Sequence, residues 1–295
     1  MSPSPATTAA EVASAAEVLD WVQRIVGPIE RTDNVGLGRD GASIIRAHLR
    51  SDHSVVVKWC AEAGTFHRLV EALSLHAPAL GAFAPKLVDA SETFRAVIMT
   101  DLPGDIVEGT PEAWDPVVHF RVGGLIRLLH ESGPTITNTH LAAQWAAELD
   151  GAAKRAEPYL DPTALASARA DAMKLLDIGT LRLVPAHRSN HPAHWMYHPT
   201  RGVALVGFSK SEYDPWIVDA VRLARDYWSY SPELERAFYS GYDMEPTDND
   251  RLILRVRSVT DALTSWAGVH EHRTSQQKKR EVARRIDQLF GQTLF

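Results

Sequence analysis

The chain has a single cysteine, Cys60, in 295 residues. That excludes a disulfide scaffold and makes a reducing compartment, the cytoplasm, the expected setting. It has no apolar run near the roughly 18 residues that suggest a membrane span, so no membrane partner is expected. It has no basic excess either. The formal net charge is −6, and no global field invites nucleic acid. The opening "MSPSPATTAAEVASAAE" lacks the basic and apolar regions of a signal peptide. No internal repeat is visible. What is present is ordinary globular material, 45% hydrophobic and 23% charged. It suffices for one large domain or two smaller ones around a buried core.

Residues 1–8 are rich in Ser, Pro, Thr and Ala and are expected to be disordered. From Ala9 to Val26, Val12, Ala15, Ala16, Leu19, Val22 and Ile25 recur at helical spacing, and Gly27-Pro28 stops the helix. "IERTDN" and "ASIIRAHL" then flank a glycine-rich turn, "VGLGRDG". "HSVVVKW" (53–59) reads as a buried strand and "AGTFHRLVEALSLHA" (63–77) as a helix. "PKLVDA" and "FRAVIMTDL" add two strands. Residues 28–101 therefore predict β-β-β-α-β-β. Beyond 110 the texture is helical, from Pro111 to Gly133, then over 138–173 with breaks near Pro158 and Pro162. A β patch at 181–208 precedes helices near 216–228, 231–241, 247–266 and 273–290. The fold class expected is α+β: a tail over 1–8, a β-rich N-lobe over 9–104 and a helical C-lobe over 105–295. A ligand cleft is expected between the lobes.

Five segments in this order resemble the aminoglycoside phosphotransferase family, which is kinase-like. "VVVKW" is similar to the strand that presents the phosphate-binding lysine, here Lys58. "FHRLVEALSLHAPALGAFAPKLVDA" is similar to the helix that follows, with Glu71 at the lysine's partner position, and "VIMTDLPG" to the hinge. "HRSNHPAHW" aligns with His-Gly-Asp-Leu-His-Pro-Gly-Asn, the family's catalytic loop, here 187–194. "ALVGFSKSEYDPWIVDAVRL" aligns with its Val-Ile-Asp-Trp-Glu stretch and the Gly-Asp-Pro that follows. The resemblance spans roughly 15–290 and implies a protein-kinase-like architecture, with a small β-rich lobe and a larger helical one.

The departures fall on the chemistry. The catalytic-base aspartate of the family is Ser189 here, its metal-holding asparagine is His194, and its second metal aspartate is Gly207. His187, His191-Pro192, Asp214-Pro215 and Asp219 survive as framework. Phosphoryl transfer rests on positioning and on metal ions that neutralise charge, and magnesium takes hard oxygen ligands. Imidazole and a bare glycine do not replace them, so neither a metal nor a nucleotide cofactor is expected. Four histidines lie within 187–198, but no carboxylate or cysteine stands at zinc-ligand spacing.

Degenerate relatives occur in bacterial pathways to ribosomally made, modified peptides, the thioamitides. The resemblance therefore implies a repurposed enzyme that closes an S-(2-aminovinyl)-3-methylcysteine macrocycle. The reaction is the Michael-type addition of a C-terminal enethiol to a dehydroamino acid, without ATP or metal. The partners implied are the modified precursor peptide and the kinase-like, lyase and decarboxylase proteins of the same pathway. Two alternatives stay open: a non-catalytic pseudokinase scaffold, and an atypical small-molecule phosphotransferase.

Within the cyclase reading, His194 or His187 takes the thiol proton, Arg188 or Lys58 steadies the enolate, and Tyr197 or Ser189 relays the last proton. Lys58, Glu71, Trp195, Tyr213 and Asp214 are expected to meet the substrate. Each has a plainer reading. His187 is a structural histidine held by Asp219, Arg188 is a solvated cation, Lys58 is ion-paired to Glu71, and the aromatics are core. "VGLGRDG" is either an anion cradle or a hairpin turn. "QQKKREVARR" (276–285) is a solvated helix face or a docking surface.

Overall fold

The computed structural model describes residues 15–37, 43–272 and 274–290. The tail over 1–8 lies outside the described residues, as do residues 38–41 of the glycine-rich turn. The N-terminal part is α1 (Ala15–Val26), β1 (Ile29–Leu37), β2 (Ser43–Leu49), β3 (Ser54–Trp59), α2 (Ala63–Glu71), β4 (Leu87–Ser91) and β5 (Ala96–Thr100). The strands form one antiparallel sheet in the order β1-β2-β3-β5-β4.

Side chains alternate across a strand, and this sheet separates two environments by that period. Val55 and Val57 of β3, with Ala96 and Ile98 of β5, pack on Val18, Trp21 and Val22 of α1. Val56 and Lys58 point the other way, opposite Met99 and Val97 in register. Full burial of a side chain such as Ile98, at 0% exposure, stabilises by about 1.5–3 kcal/mol. Lys58 is thus carried to the inner face by the same alternation that buries its neighbours. Beyond Glu71 the helix loosens into a π-turn (Ala72–His76) and a 3-10 segment (Ala77–Phe83), rather than running evenly to residue 77.

After the hinge, β6 (Asp105–Ile106) leads into α3 (Pro116–His130), β7 (Ile136–Asn138), α4 (Leu141–Ala156) and α5 (Pro162–Leu176). Asp115 and Asp161 cap α3 and α5 through their side chains, each with proline at the first helical position. Then come β8 (Leu181–Ala186), β9 (Trp195–His198), β10 (Gly202–Leu205), β11 (Glu212–Asp214), α6 (Val221–Leu223), α7 (Pro232–Tyr242), α8 (Asp248–Glu271) and α9 (Gln276–Phe290). Two small sheets, β10-β9-β6 and β11-β8-β7, support the loop between β8 and β9. On α9, Val282, Ala283 and Ile286 are buried while Lys278, Arg280 and Arg284 face solvent, so the basic stretch is a solvated face. No helix among the described residues is long and apolar enough to cross a membrane.

Candidate functional site

Between the sheet and the helical lobe lies a cavity of about 590 Å³, the size of a small-ligand site. Its roof is Ile44, Val56 and Lys58, its inner wall Leu69 of α2 and Leu73 of the π-turn after it, and its floor Met196 and Val206. Ser189, His194, Gly207 and Ser209 close the inner end. Val35 and Gly36, at the start of the glycine-rich turn, reach its rim.

Asp219 builds the 187–194 loop. Its buried carboxylate accepts the backbone N–H groups of His187 (2.8 Å) and Arg188 (2.6 Å) and is joined to His130 Nε2 (2.9 Å). Its backbone carbonyl accepts from Asn190 Nδ2. Burial pushes this carboxyl upward, but the His130 hydrogen bond and the neighbouring imidazoles outweigh it and leave it below the usual range. His187 is a support, not a cavity wall. Its Nε2 donates to Val206 O (2.9 Å), and burial holds it neutral.

His194 does line the cavity. Its Nδ1 donates to Ser189 O (2.8 Å), which leaves Nε2 as the acceptor. Burial first, and then the neighbouring His187, lower its pKa to about 3. So low a basicity does not suit the general-base role near pH 7 expected at this position. Its ring packs against Gly207, where an added Cβ would lie 2.5 Å from His194 Cδ2.

Lys58, 7% exposed, donates from Nζ to Ser209 Oγ at 2.6 Å. Glu71 is not the lysine's partner. It is exposed on the outer side of α2, beside a separate shallow depression. Leu69 faces the cavity, and a residue two positions on points about 200° away. Arg188 also lies outside the cavity. It adopts a left-handed backbone, φ 58°, where the family has glycine. Its guanidinium pairs with Glu212 and, from Nε at 2.8 Å, with Asp214. Burial pushes Asp214 up to about 7, against the pull of Arg188.

The aromatics expected at the substrate are structural. Trp195 is fully buried, with Nε1 donating to Asn190 Oδ1 (2.7 Å) and its ring edge-on to His119. Strand alternation in β9 sends Met196 to the cavity and Trp195 and Tyr197 to the core side. Tyr213 and Asp214 ride on β11, in the sheet behind the loop, and Tyr213 stacks edge-on against His76. Of the ten expected site residues, the cavity gathers Lys58, Ser189 and His194. It also holds groups the sequence did not flag. Arg46 pairs with Asp101 at the hinge, Nε to Oδ2 at 2.7 Å, and Ser209 sits under Lys58. Ser209 stands two residues past Gly207, a spacing that was legible.

The site does not fit the magnesium that the fold family employs. At the two ligand positions it offers one imidazole nitrogen and no side chain at all, and the imidazole fills the space beside Gly207. Among the described residues no group of three His, Cys, Asp or Glu side chains is placed to hold a metal ion.

No protein-family profile and no curated protein sequence matches this chain. Solved structures do. A choline kinase, LicA, from Streptococcus pneumoniae superposes with a TM-score of 0.67 at 12% identity, over 94% of this chain and 99% of that one. A macrolide 2'-phosphotransferase, MphH, from Brachybacterium faecium gives 0.61 at 15%, over 92% and 98%. An aminoglycoside phosphotransferase from Alicyclobacillus acidocaldarius gives 0.60 at 13%, over 89% and 91%. At such identities the likeness establishes the fold: a kinase-like, aminoglycoside-phosphotransferase architecture with a small antiparallel N-lobe and a helical C-lobe.

Proposed function

We propose that this chain has turned a phosphotransferase cleft to metal-independent chemistry on a modified peptide. It closes an aminovinyl-(methyl)cysteine ring by adding a C-terminal enethiol to a dehydroamino acid. The observation that carries the reading is the packing of His194 against Gly207, which leaves no carboxylate or amide oxygen at the two metal-ligand positions. An enethiol is more acidic than an alkyl thiol, because its thiolate delocalises into the alkene. It therefore reaches its nucleophilic form without a strong base, and the weakness of His194 is no obstacle. What the addition does require is a cation at the developing enolate, and Lys58 supplies one beside Ser209 at the inner end of the cavity. Holding both ends of a flexible peptide together contributes further.

The test is incubation of purified protein with a dehydrated, enethiol-bearing peptide, followed by thiol alkylation, because cyclisation leaves the mass unchanged. Loss of alkylatable thiol without ATP or divalent ions is expected. Thiol that stays fully alkylatable overturns the reading. The same low basicity of His194 also suits a second reading, a binding subunit without turnover. Tight retention of the peptide with no ring closure selects that one.

A further inference from the structure

The addition ends with a proton placed on the α-carbon, and neither Tyr197 nor Ser189 is well placed to give it. Tyr197 lies outside the cavity. Ser189 lines it, but its hydroxyl has no cation hydrogen-bonded behind it among the described residues. Ser209 differs on both counts. It lines the cavity, is 4% exposed, and accepts from Lys58 Nζ at 2.6 Å across 151 residues of sequence. Its backbone carbonyl accepts from Arg68 Nε of α2 at 3.4 Å. The preceding Phe208 is fully buried, edge-on to His187 with ring centroids 4.8 Å apart. Strand β3, helix α2 and the loop floor therefore all fix this hydroxyl. A serine oxygen that accepts from an ammonium keeps its own hydrogen to donate, and Ser209 donates to no group among the described residues.

Resting on the cyclase reading, we propose that Ser209 is the proton donor to the α-carbon, recharged by Lys58. The thiol releases its proton to solvent. The thiolate sulfur forms the bond to the β-carbon, and the alkene π pair moves into the enolate, whose charge the Lys58 ammonium steadies. Ser209 Oγ–H then protonates the α-carbon while Lys58 passes a proton to Oγ. Lys58 regains from solvent the proton that the thiol released, so protons and electrons balance and no oxidant or reductant is needed.

A donor fixed on one face gives one configuration at the new α-carbon. The experiment is ring closure in D2O, with deuterium at the α-carbon located and the two epimers resolved after hydrolysis by chiral derivatisation. Wild type is expected to give one epimer. Ser209→Ala is expected to melt like wild type, to close the ring about 10²-fold more slowly, and to give both epimers. Ser209→Thr, which keeps the hydroxyl, is expected to restore the single epimer. Lys58→Met leaves residue 209 in place and is expected to give the mixture again. A single epimer at the wild-type rate from Ser209→Ala, or a single epimer from Lys58→Met if the Ser209 variants fail to fold, overturns this inference alone. A wild-type protein that leaves the thiol alkylatable overturns the cyclase reading and this inference with it.

Discussion

His194 and Gly207 share one volume: a Cβ on Gly207 would meet the imidazole at 2.5 Å, and the backbone there has φ 84°. The two replacements are thus coupled. Gly207→Ala is expected to destabilise through two separable costs, about 1 kcal/mol for a side chain in the left-handed region and about 1–3 kcal/mol for the clash. His194→Ala in the same chain should recover the second cost and not the first. Urea unfolding of both single variants and the double variant reads the coupling. Additive losses would show that the ring yields freely.

Stability is expected to fall on mild acidification, and the buried titratable groups give the sign. Burial holds His119 at about 4 and His194 at about 3, against about 6.5 in the unfolded chain. Their contribution is present above pH 6.5 and is lost as pH falls toward those values. Asp214, raised to about 7 by burial, acts oppositely. Its contribution is present below about pH 4 and is lost as pH rises to 7. His76 and His187, also lowered by burial, add to this fall, and Glu235, raised by burial, opposes it. Four histidines against two carboxyls leave a net fall between about pH 6.5 and 4. Asp214→Asn removes one opposing group, so the fall should steepen by up to about 1.4 kcal/mol per pH unit. Urea midpoints at pH 7.5 and 5 compare the two proteins, and equal slopes would count against a raised Asp214.

Arg188 ties the catalytic-type loop to β11 through Asp214 and Glu212. Arg188→Ala keeps the left-handed strain and removes the tie. Above pH 7, where Asp214 ionises, the loss leaves a buried carboxylate without its guanidinium. Because Arg188 is about a third exposed, with 34% side-chain exposure, the cost discounts to about 1–2 kcal/mol. Below pH 6 it should shrink. Arg188→Gly should sit about 1 kcal/mol above the alanine variant. Thermal melts of both at pH 6 and 8.5 check the order.

The fold was legible because it rests on periods. The valines of 55–57 alternate, α1 repeats its apolar positions, and Asp219 anchors the loop as a framework aspartate should. The site was less legible because neighbours in sequence are not neighbours in space. Trp195 and Tyr197 flank Met196, yet only Met196 faces the cavity, since a strand sends successive side chains apart. Glu71 turns away from Lys58 for the helical version of the same reason. Arg188 aims at Asp214, a contact between a loop and a strand 26 positions on, and no local pattern encodes that pairing. The Lys58–Ser209 contact spans 151 positions and became visible only with the lobes assembled.

The histidine-rich loop invites a histidine mechanism, and a pH–rate profile separates it from a lysine one. An imidazole acting as base would make the rate of ring closure rise through an inflection near 6.5. His194 is held at about 3, and His187, lowered by burial, lies outside the cavity. The profile should therefore carry no histidine inflection between pH 5 and 8, and should rise only with ionisation of the peptide's own enethiol. His194→Gln keeps a polar group of similar reach and should slow the reaction by less than about tenfold, the scale of one neutral hydrogen bond. Lys58→Met removes the cation at the enolate and should slow it by about 10²–10³, mainly in kcat, because the charge develops in the transition state rather than in the bound peptide. Steady-state rates of thiol loss across pH 5–8.5 for the three proteins decide it. An inflection near 6.5 that disappears in His194→Gln would return the base to the imidazole, and a wild-type rate from Lys58→Met would take Lys58 out of the chemistry.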